Sequence, residues 1–564
     1  MKLLDSRRLT GPSLLLDRAG AVIDVALAPQ EAEPAIAAWR EEVRRLLEVV
    51  GWGGEETAAR RFPGGANLAI SAPIDCLYAA TEVNEWAWTA VETVMMERGD
   101  PPETVEAAAR LREEIEREQR PALLALREAA RARNVSFLFG EEMVTAGLGA
   151  GSISWPVKEL PDPASVDWSA VHDVPALLVS GTNGKTTTVR LLAAMLEAEG
   201  KVVGVTSTDH IAVGDETLER GDFSGPSGAR MLLRDRRVEV AVLETARGGI
   251  LRRGLALERA AGAVVTNIAS DHLWDYGIHD LPSMAATKLV VARAVRPDGR
   301  VVLNADDPEL VRADRGFAAP VVWFSLDPRN PLIREHLAAG GSACLLEANE
   351  LILLDGGERR PVIGVNEVPV TFGGTARYNV ANALAAVGLA TAAGVPVEAM
   401  AEGLRRFRSD PQDNPGRGNL IERDGIRLLV DYAHNPHGLA AILNVAAALP
   451  AGRRLLLLGQ AGDRDDAAIR DLARAAWSFR PDRIVIKELP EMLRGRQPGE
   501  VPAILEDELS RLGAPLESLG RADSELEGVR QALAWALPGD LLVLLVHTQR
   551  EAVMGALLQE KGEE

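Results

Sequence analysis

The chain has 564 residues, of which 82 are acidic and 62 are basic, so its formal net charge is −20. Hydrophobic residues make up 47% and charged residues 26%, which is typical of globular proteins and excludes a disordered chain. The negative charge repels phosphate backbones and disfavours a general nucleic-acid binder. The length predicts three or four domains.

Cysteine content and apolar runs indicate the compartment. Cys76 and Cys344, the two cysteines, are too far apart in sequence to suggest a disulfide framework or a CxxC metal site. The first residues carry Asp5 and two arginines where a signal peptide needs an apolar stretch. No apolar run approaches the roughly 18 residues of a membrane span. We therefore expect a cytoplasmic protein with no membrane partner and two inert, buried thiols.

Residues 1–165 are predicted to form an N-terminal α+β domain. Apolar runs at 13–16 and 21–28 flank Asp17-Arg18-Ala19-Gly20, a pattern that predicts a hairpin. Helical periodicity follows over 31–50 and 103–133. Prolines between 155 and 175 indicate a linker.

Residues 166–410 are predicted to form an α/β domain on a doubly wound parallel sheet, and residues 411–564 a Rossmann-like α/β domain. In the first, strands and helices or loops alternate, with strands expected at 176–180, 202–206, 238–243, 262–267 and 300–304. Hairpin strands at 347–354 and 362–372 and a helix at 379–393 follow. The last domain is predicted to have strands at 427–431, 454–458, 483–487 and 541–546.

The strongest motif lies between a predicted strand and a helix, the context that a P-loop requires. It reads Gly181-Thr182-Asn183-Gly184-Lys185-Thr186-Thr187. Glycines let the backbone approach phosphate oxygens, and N–H groups at the helix start point at the anion. Lys185 is expected to reach the β- and γ-phosphates of a nucleotide, and the Thr186 hydroxyl to bind Mg²⁺. Val179 stands where GxxxxGK[ST] has glycine, so an ordinary strand-to-helix turn remains the alternative.

Two further side chains follow neighbouring predicted strands. Glu244 comes directly after 238–243, and His272 follows the strand that ends at Asn267. Open α/β sheets bind ligands at the carboxyl ends of their strands. With Thr186, these side chains predict a metal site that bridges nucleotide and substrate. Considered alone, Glu244 could equally be a surface carboxylate with no metal role. A lone histidine such as His272 is more often a structural hydrogen-bonding residue than a metal ligand.

These motifs resemble the Mur ligase family, the ATP-dependent amide ligases of peptidoglycan, folate and cyanophycin synthesis. The resemblance covers about residues 170–550 and rests also on Tyr378-Asn379-Val380-Ala381-Asn382, Pro415-Gly416-Arg417 and Asp431-Tyr432-Ala433-His434-Asn435-Pro436. Within the family it is greatest to the ligase half of the cyanophycin-synthesising members. Those members carry an ATP-grasp domain before the ligase half. Here residues 1–165 lead through a short linker into the P-loop, which predicts a single ligation chemistry.

The resemblance implies roles for individual residues. It implies that Lys185 and Thr186 hold the triphosphate and Mg²⁺, with Glu244 and His272 as metal ligands. It further implies that Asn379 and Asn382 contact the adenine and that Arg417 contacts the phosphates. Asp431 is implied to contact the ribose, and His434 to lie near the γ-phosphate. Lys288 matches a lysine that many family members carbamylate to complete the metal site, and a plain ion-paired lysine is the alternative.

The resemblance also implies where substrates bind. An acidic substrate is expected at Thr208, Ser224, Arg247 and Arg252, and the carboxylate of the amine partner at Arg494 and Arg496. Arginine forks suit carboxylates, although structural ion pairs are the alternative for these loop arginines. The implied reaction is attack of a carboxylate on the γ-phosphate, which gives an acyl phosphate, followed by attack of an amine.

The leading hypothesis is therefore an ATP- and Mg²⁺-dependent carboxylate–amine ligase whose acceptor is an acidic amino acid or an aspartyl peptide. Within the ligases, the alternative is a cell-wall precursor or folylpolyglutamate-like enzyme. A nucleotide-binding scaffold without chemistry is a second class, which the complete set of nucleotide and metal residues disfavours. A P-loop kinase or motor is a third, which residues 431–436 disfavour. The sequence leaves the oligomeric state open and is compatible with a homo-oligomer.

Overall fold

The computed structural model describes residues 1–96, 104–271, 273–313 and 316–558, with the side chains of 104–106 left out. An N-terminal unit contains a four-stranded antiparallel sheet of order β1-β2-β4-β3 and a three-stranded antiparallel sheet β5-β6-β7. Its elements are β1 (Lys2–Leu9), β2 (Gly20–Ala26), α1 (Ala32–Val49), β3 (Thr57–Phe62), β4 (Gly65–Ser71), α2 (Leu77–Met95), α3 (Thr104–Glu118), α4 (Pro121–Arg131), β5 (Phe137–Phe139), β6 (Met143–Ala146) and β7 (Ile153–Pro156).

Two predictions for this unit are wrong. Residues 13–16 are not a strand, because the Ser13 hydroxyl accepts the backbone N–H of Leu16 at 3.1 Å and closes a tight turn. The strand that precedes β2 and pairs with it is instead the charged segment β1, which forms an edge of the sheet, and β4 pairs with the other side of β2. The helix expected over 103–133 is two helices, because Pro121 starts α4 and cannot continue α3. Residue 103 lies outside the described residues.

The central unit contains an eleven-stranded sheet. Seven parallel strands run in the order β9-β12-β8-β13-β14-β15-β16, with antiparallel strands β10 and β11 at one edge and β17 and β18 at the other. Its elements are β8 (Ala176–Ser180), α5 (Lys185–Ala198), β9 (Val203–Thr206), β10 (His210–Val213), β11 (Glu216–Arg220), α6 (Pro226–Leu233), β12 (Val240–Glu244), α7 (Arg247–Arg253), β13 (Ala260–Val265), α8 (Leu281–Lys288), α9 (Val290–Arg293), β14 (Val295–Asn304), α10 (Pro308–Arg312), β15 (Val321–Ser325), α11 (Pro331–Ala338), β16 (Ser342–Glu347), β17 (Glu350–Asp355), β18 (Glu358–Gly364), α12 (Arg377–Ala390) and α13 (Val397–Arg406).

The predicted parallel α/β sheet is confirmed. Its central strands are buried along their whole length, since helices cover both faces of such a sheet. The strand expected over 362–372 ends at Gly364, and two short 3-10 turns follow. Pro369 lacks the backbone N–H that a ladder requires, and Phe372 has a φ of 52°.

The C-terminal unit has a six-stranded sheet of order β19-β20-β24-β21-β22-β23, parallel except for β19. All four predicted strands are present in it. Its elements are β19 (Asn419–Arg423), β20 (Ile426–Asp431), α14 (Pro436–Ala448), β21 (Arg454–Leu458), α15 (Asp466–Ser478), β22 (Arg483–Lys487), α16 (Glu500–Arg511), β23 (Leu519–Ala522), α17 (Glu525–Trp535), β24 (Leu541–Leu545) and α18 (Arg550–Leu558).

The topology of the central sheet determines where a ligand can bind. Strand β8 lies between β12 and β13, and the chain crosses from one half of the sheet to the other between these two strands. Loops after these three strands therefore border a crevice at the carboxyl edge, the usual ligand site of such sheets. The boundaries predicted at 165 and 410 stay predictions. Among the described helices, none has the length and apolar character to cross a membrane.

Candidate active site

A cleft of about 860 Å³ lies at the carboxyl edge of the central sheet, and residues of the C-terminal unit line its other side. The cleft brings together most of the residues predicted from the sequence. They are Thr182, Asn183, Gly184, Lys185, Thr186, Thr187, Thr208, Ser224, Glu244, Arg247, Arg252, Lys288, Asn379, Asn382, Arg417, Asp431, His434 and Arg494. Among the described residues, Gly181 and Arg496 lie outside this lining. His272 falls outside the described residues.

The phosphate loop joins β8 to α5 through two glycines with positive φ. Gly181 has a φ of 139°, and a Cβ added there would lie 1.9 Å from the Thr266 hydroxyl oxygen. Gly184 has a φ of 83°, and a Cβ there would lie 2.2 Å from the Asn382 side-chain oxygen. Both positions require glycine because neighbouring side chains occupy the space that a Cβ would fill. The loop therefore keeps its backbone open toward the cleft at the start of a helix.

Two lysines lie beside this loop. Lys185 Nζ donates to the Thr182 carbonyl at 3.0 Å, and Lys288 Nζ donates to the Gly181 carbonyl at 2.8 Å. Burial lowers the pKa of Lys288 well below its usual range, and the positive charge of Lys185 lowers it further. A neutral amine is the form that reacts with carbon dioxide, so the environment of Lys288 suits the carbamylation that the family resemblance implied. That modification stays a prediction.

Glu244 and two threonines form the centre of the cleft. Thr186 Oγ1 donates to Glu244 Oε2 at 2.8 Å, and the backbone N–H of Thr208 lies 3.4 Å from the same oxygen. Burial raises the pKa of Glu244, while Lys185 and Arg417 counteract that shift. Glu244 Oε1 is buried and, within the described part of the chain, has no hydrogen-bond partner.

The Oε1 of Glu244, unpartnered among the described residues, indicates whether a divalent cation fits at this position. A buried carboxylate oxygen without a donor is costly, and a hard cation would satisfy it together with the Thr186 hydroxyl. Glu244 and Thr186 therefore fit the predicted metal role. Across the residues that the structure describes, no group of three or more His, Cys, Asp or Glu side chains is arranged to hold a metal ion. The remaining predicted ligand, His272, lies outside them.

Asp209 and three arginines form a cluster that the sequence analysis missed. Asp209 lies 2.8 Å from both Arg190 and Arg550, and 3.5 Å from Arg417, which also donates to the Thr208 hydroxyl at 3.1 Å. Burial alone would raise the pKa of Asp209, but these guanidinium groups hold it well below its usual range. Asp209 follows the end of β9 as Glu244 ends β12, which is the signal that could have identified it.

The last residue of β20 and the loop after it carry the predicted ribose and γ-phosphate residues. Asp431 accepts the backbone N–H of Ala433 at 2.7 Å, and desolvation raises the pKa of Asp431 to about 6. His434 Nε2 lies 3.4 Å from Asp271 Oδ2, on the opposite side of the cleft. The two units therefore meet at the cleft through this loop.

The residues expected to contact adenine are buried and bonded to the protein. Asn379 donates to the Val370 carbonyl at 2.8 Å, and Asn382 donates to the Asn379 side-chain oxygen at 3.1 Å. Both line the cleft from the start of α12. Their predicted contact with adenine stays a prediction, while the position of Asn382 beside Gly184 links α12 to the phosphate loop.

Two of the predicted substrate residues, Arg247 and Arg252, lie on α7. Arg247 donates to Asp275 at 2.7 Å, and Arg252 Nε donates to the Tyr276 hydroxyl at 3.0 Å. All four side chains line the cleft. The contact of Arg247 matches the ion-pair alternative, whereas the partner of Arg252 is a neutral phenol.

Of the other predicted substrate residues, Ser224 and Arg494 line opposite sides of the cleft, whereas Arg496 lies outside its lining. Ser224 donates to Asp222 at 2.6 Å, and Arg494 forms a close ion pair with Asp463. Arg496 points into the C-terminal unit, where its bonds include one to the Gly462 carbonyl at 3.0 Å. Arg496 is therefore a structural residue in this arrangement.

Comparison with known proteins identifies the class. The chain matches the Mur ligase middle domain over residues 179–390 and the Mur ligase glutamate ligase domain over residues 416–545. The two matches together span more than half of the chain. Over these regions the chain belongs to the Mur ligase family, which confirms the resemblance.

Within that class, the chain is similar to curated ligases. It is 43% identical to cyanophycin synthetase of Synechocystis sp. over 333 residues, which cover 59% of this chain and 38% of that protein. The cyanophycin synthetase of Trichormus variabilis is 38% identical over 380 residues, 67% and 42% of the respective chains. The UDP-N-acetylmuramoyl-L-alanyl-D-glutamate–2,6-diaminopimelate ligase of Geobacter metallireducens is 28% identical over 392 residues, 66% and 73%. The chain thus spans about two fifths of the length of these cyanophycin synthetases.

Solved structures share the fold. E. coli FolC in complex with ADP aligns with a TM-score of 0.50 and 21% identity, covering 68% of this chain and 89% of that one. A bifunctional folylpolyglutamate synthase/dihydrofolate synthase with Mn, AMPPNP and L-glutamate bound aligns with a TM-score of 0.50 and 21% identity, covering 68% and 90%. At this identity the similarity supports the α/β architecture alone.

Proposed function

We propose that this chain is an ATP-dependent carboxylate–amine ligase that forms an amide bond through an acyl phosphate. The observation that carries the proposal is the arrangement of the cleft. A phosphate loop, a buried carboxylate with an orphaned oxygen and the 431–436 loop of a second unit face one another across it. ATP and Mg²⁺ are the proposed nucleotide and cation, consistent with ligands bound to the similar solved structures.

In the first step, a carboxylate oxygen of the acceptor attacks the γ-phosphorus, the bond from that phosphorus to the β–γ bridging oxygen breaks, and ADP leaves. Lys185 and the N–H groups at the start of α5 neutralise and align the phosphates. Glu244 and Thr186 would hold the cation, which supplies charge neutralisation when bound. Arg417 adds positive charge from the junction between the central and C-terminal units.

In the second step, the amine nitrogen attacks the acyl carbon, phosphate leaves and the nitrogen loses a proton. The acyl phosphate must be protected from water until the amine arrives. The 431–436 loop suits that role, because His434 lies 3.4 Å from Asp271 across the cleft. Closure of the C-terminal unit over the phosphate loop is therefore part of the proposal.

For the acceptor we propose an acidic amino acid or an aspartyl peptide, and for the amine donor an amino acid. Similarity to the cyanophycin synthetases supports this choice, as does the position of Arg252 on the cleft wall. With one phosphate loop serving one cleft, we propose that each amide bond consumes one ATP. We also propose that the protein is cytoplasmic and that it divides into the three domains predicted from the sequence.

The test supplies the purified chain with ATP, Mg²⁺, a panel of acidic amino acids and aspartyl peptides, and each amino acid as amine. ADP and phosphate release is measured, and products are identified by mass spectrometry. We expect one ADP and one phosphate for each amide bond, with an aspartyl acceptor. Product formed solely from a sugar-linked cell-wall precursor or a folate would replace this proposal with the alternative ligase class. Elongation by alternating aspartate and a second residue without a partner enzyme would contradict the single-ligation proposal.

A further inference from the structure

The N-terminal unit reaches the cleft through a short segment of the central unit, residues 273–278. Arg60 of β3 donates to the Tyr276 carbonyl at 2.9 Å and to the Gly277 carbonyl at 3.1 Å. Asn67 of β4 lies 3.4 Å from the same Tyr276 carbonyl. These bonds join residues more than 200 positions apart in sequence and hold the backbone of this segment from outside the cleft.

Arg60 is itself fixed by a buried polar network. Its guanidinium donates to the Asn67 side-chain oxygen at 2.6 Å, and Asn67 donates to Asp24 at 2.6 Å. Arg7 forms a two-pronged pair with Asp24, at 2.7 and 3.1 Å. Arg7, Asp24 and Asn67 are 9%, 5% and 2% exposed, so this network is shielded from water and is rigid rather than a set of loose surface pairs.

The segment that Arg60 holds has an unusual backbone. Tyr276 has φ 54° and ψ 30°, and Trp274 has φ 81°. Residues other than glycine rarely adopt these left-handed conformations, because the Cβ atom makes them unfavourable. Gly277 follows with φ 73°, and a Cβ there would lie 2.3 Å from the Phe62 ring of β3. The conformation persists only where surrounding structure imposes it, and here the N-terminal unit supplies those contacts.

The same tyrosine faces the cleft with its side chain. Its hydroxyl accepts Arg252 Nε at 3.0 Å, and both side chains line the cleft. The Arg7 guanidinium lies 4.6 Å from the centre of the Tyr276 ring on the side of the N-terminal unit. A continuous path of contacts therefore runs from the Asp24 network through the Tyr276 backbone and ring to the guanidinium of Arg252.

We propose that Arg60 of the N-terminal unit is a positioning residue: it fixes the Tyr276 backbone, and thereby orients Arg252 to bind the carboxylate substrate of the ligation. The nature of that substrate rests on the proposed function. The positioning itself rests on the contacts between β3 and residues 273–278. It gives the N-terminal unit a role in substrate binding although it contributes no side chain to the described lining of the cleft.

The test compares Arg60→Ala with the neighbouring control Arg61→Ala. Arg61 is exposed and pairs with Glu33 at 3.2 Å, away from Tyr276. For Arg60→Ala we expect KM for the carboxylate acceptor to rise about tenfold, as for other supporting residues of a site. We expect KM for ATP to stay within about twofold of the wild-type value, since the phosphate loop does not touch this network. Arg61→Ala should leave both constants unchanged.

Hydrogen–deuterium exchange measures the positioning without any turnover. In Arg60→Ala the peptide covering 273–280 should exchange faster, whereas the phosphate-loop peptide and the Arg61→Ala protein should not change. Tyr276→Phe provides a variant that keeps the backbone contacts and loses only the acceptor for Arg252. It should raise KM for the acceptor without faster exchange at 273–280.

The outcomes separate this inference from the proposed function. Unchanged exchange at 273–280 in Arg60→Ala would overturn the positioning role whatever the protein ligates. Equal increases in KM for ATP and for the acceptor would also overturn it, because they would indicate general damage. If the wild-type protein binds ATP but ligates nothing, and Arg60→Ala still shows the faster exchange at 273–280, the proposed function and the binding role of Arg252 would be overturned. The contact by which Arg60 fixes the Tyr276 backbone would then stand on its own.

Discussion

Asn183 of the phosphate loop and Asn435 of the C-terminal unit exchange two side-chain hydrogen bonds. Asn183 Nδ2 lies 3.3 Å from Asn435 Oδ1, and Asn435 Nδ2 lies 2.9 Å from Asn183 Oδ1. Asn435 also caps α14, since its Oδ1 accepts the backbone N–H of Gly438 at 2.9 Å. The Asn435 side-chain amide thus connects the start of α14 to the phosphate loop.

This pair predicts that Asn435→Asp uncouples ATP cleavage from amide formation. Aspartate keeps the cap on α14 but cannot donate to Asn183, so closure over the acyl phosphate should weaken and water should enter. We expect phosphate release per amide bond to rise above the wild-type ratio, with stability little changed. Asn444→Asp, an exposed position on the same helix, is the control. An unchanged ratio in Asn435→Asp would show that this bond does not contribute to closure.

Lys185→Ala should abolish ATP-dependent product formation while leaving the fold intact. Its Nζ makes a bond to the Thr182 carbonyl of its own loop, so little packing depends on it. Loss of a charge aimed at the transferring phosphoryl group should cost at least about 100-fold in kcat. The matched control is Lys201→Ala, an exposed lysine just beyond α5. Near-normal ligation by Lys185→Ala, with an unchanged melting temperature, would refute the P-loop assignment.

Glu244→Gln should separate stability from metal dependence. Burial raises the pKa of Glu244, so the ionised side chain is costly at neutral pH when no cation is bound. The neutral amide should therefore raise the metal-free melting temperature and, as a weaker ligand, raise the Mg²⁺ concentration for half-maximal activity about tenfold or more. Glu219→Gln, on the exposed strand β11, is the control. An unchanged Mg²⁺ titration would remove Glu244 from the metal site.

The parts of the site that follow from local sequence were predictable. The phosphate loop needs a strand, two glycines and a helix start within a few residues, and Glu244 ends a clearly apolar strand. The N-terminal hairpin was misplaced because the apolar residues 14–16 lie in a turn. The true strand β1 is rich in charge because it forms an edge of the sheet, so hydrophobic periodicity does not identify it.

Features that depend on distant residues were not predictable. Arg60 meets Tyr276, and Asp209 meets Arg550, across more than 200 positions of sequence. No local pattern distinguishes these arginines from surface arginines, since their function comes from which unit packs against which loop. The left-handed backbone of Tyr276 was not predictable either, because a tyrosine gives no sign of that conformation and the surrounding packing imposes it.

Asp431 should make the stability of the folded protein depend on pH. Desolvation raises the pKa of Asp431 to about 6 from its ordinary value of 3.8. The folded protein therefore holds this proton more tightly than the unfolded chain does, and stability falls as pH rises from about 4 to about 6. Above that range the cost of the ionised group stays constant. An asparagine at this position keeps an oxygen to accept the Ala433 N–H but does not titrate.

We therefore expect the melting temperature of Asp431→Asn, relative to wild type, to increase between pH 4 and pH 7 and then level off. The exposed control Asp298→Asn should show no such change over the same range. Differential scanning fluorimetry at half-unit pH intervals, without nucleotide or metal, measures both differences. A relative melting temperature for Asp431→Asn that is flat or falls over this interval would show that the Asp431 pKa is not raised in the folded protein. The carboxylate would then already be stabilised in the empty cleft by Arg417 and the backbone N–H groups around it.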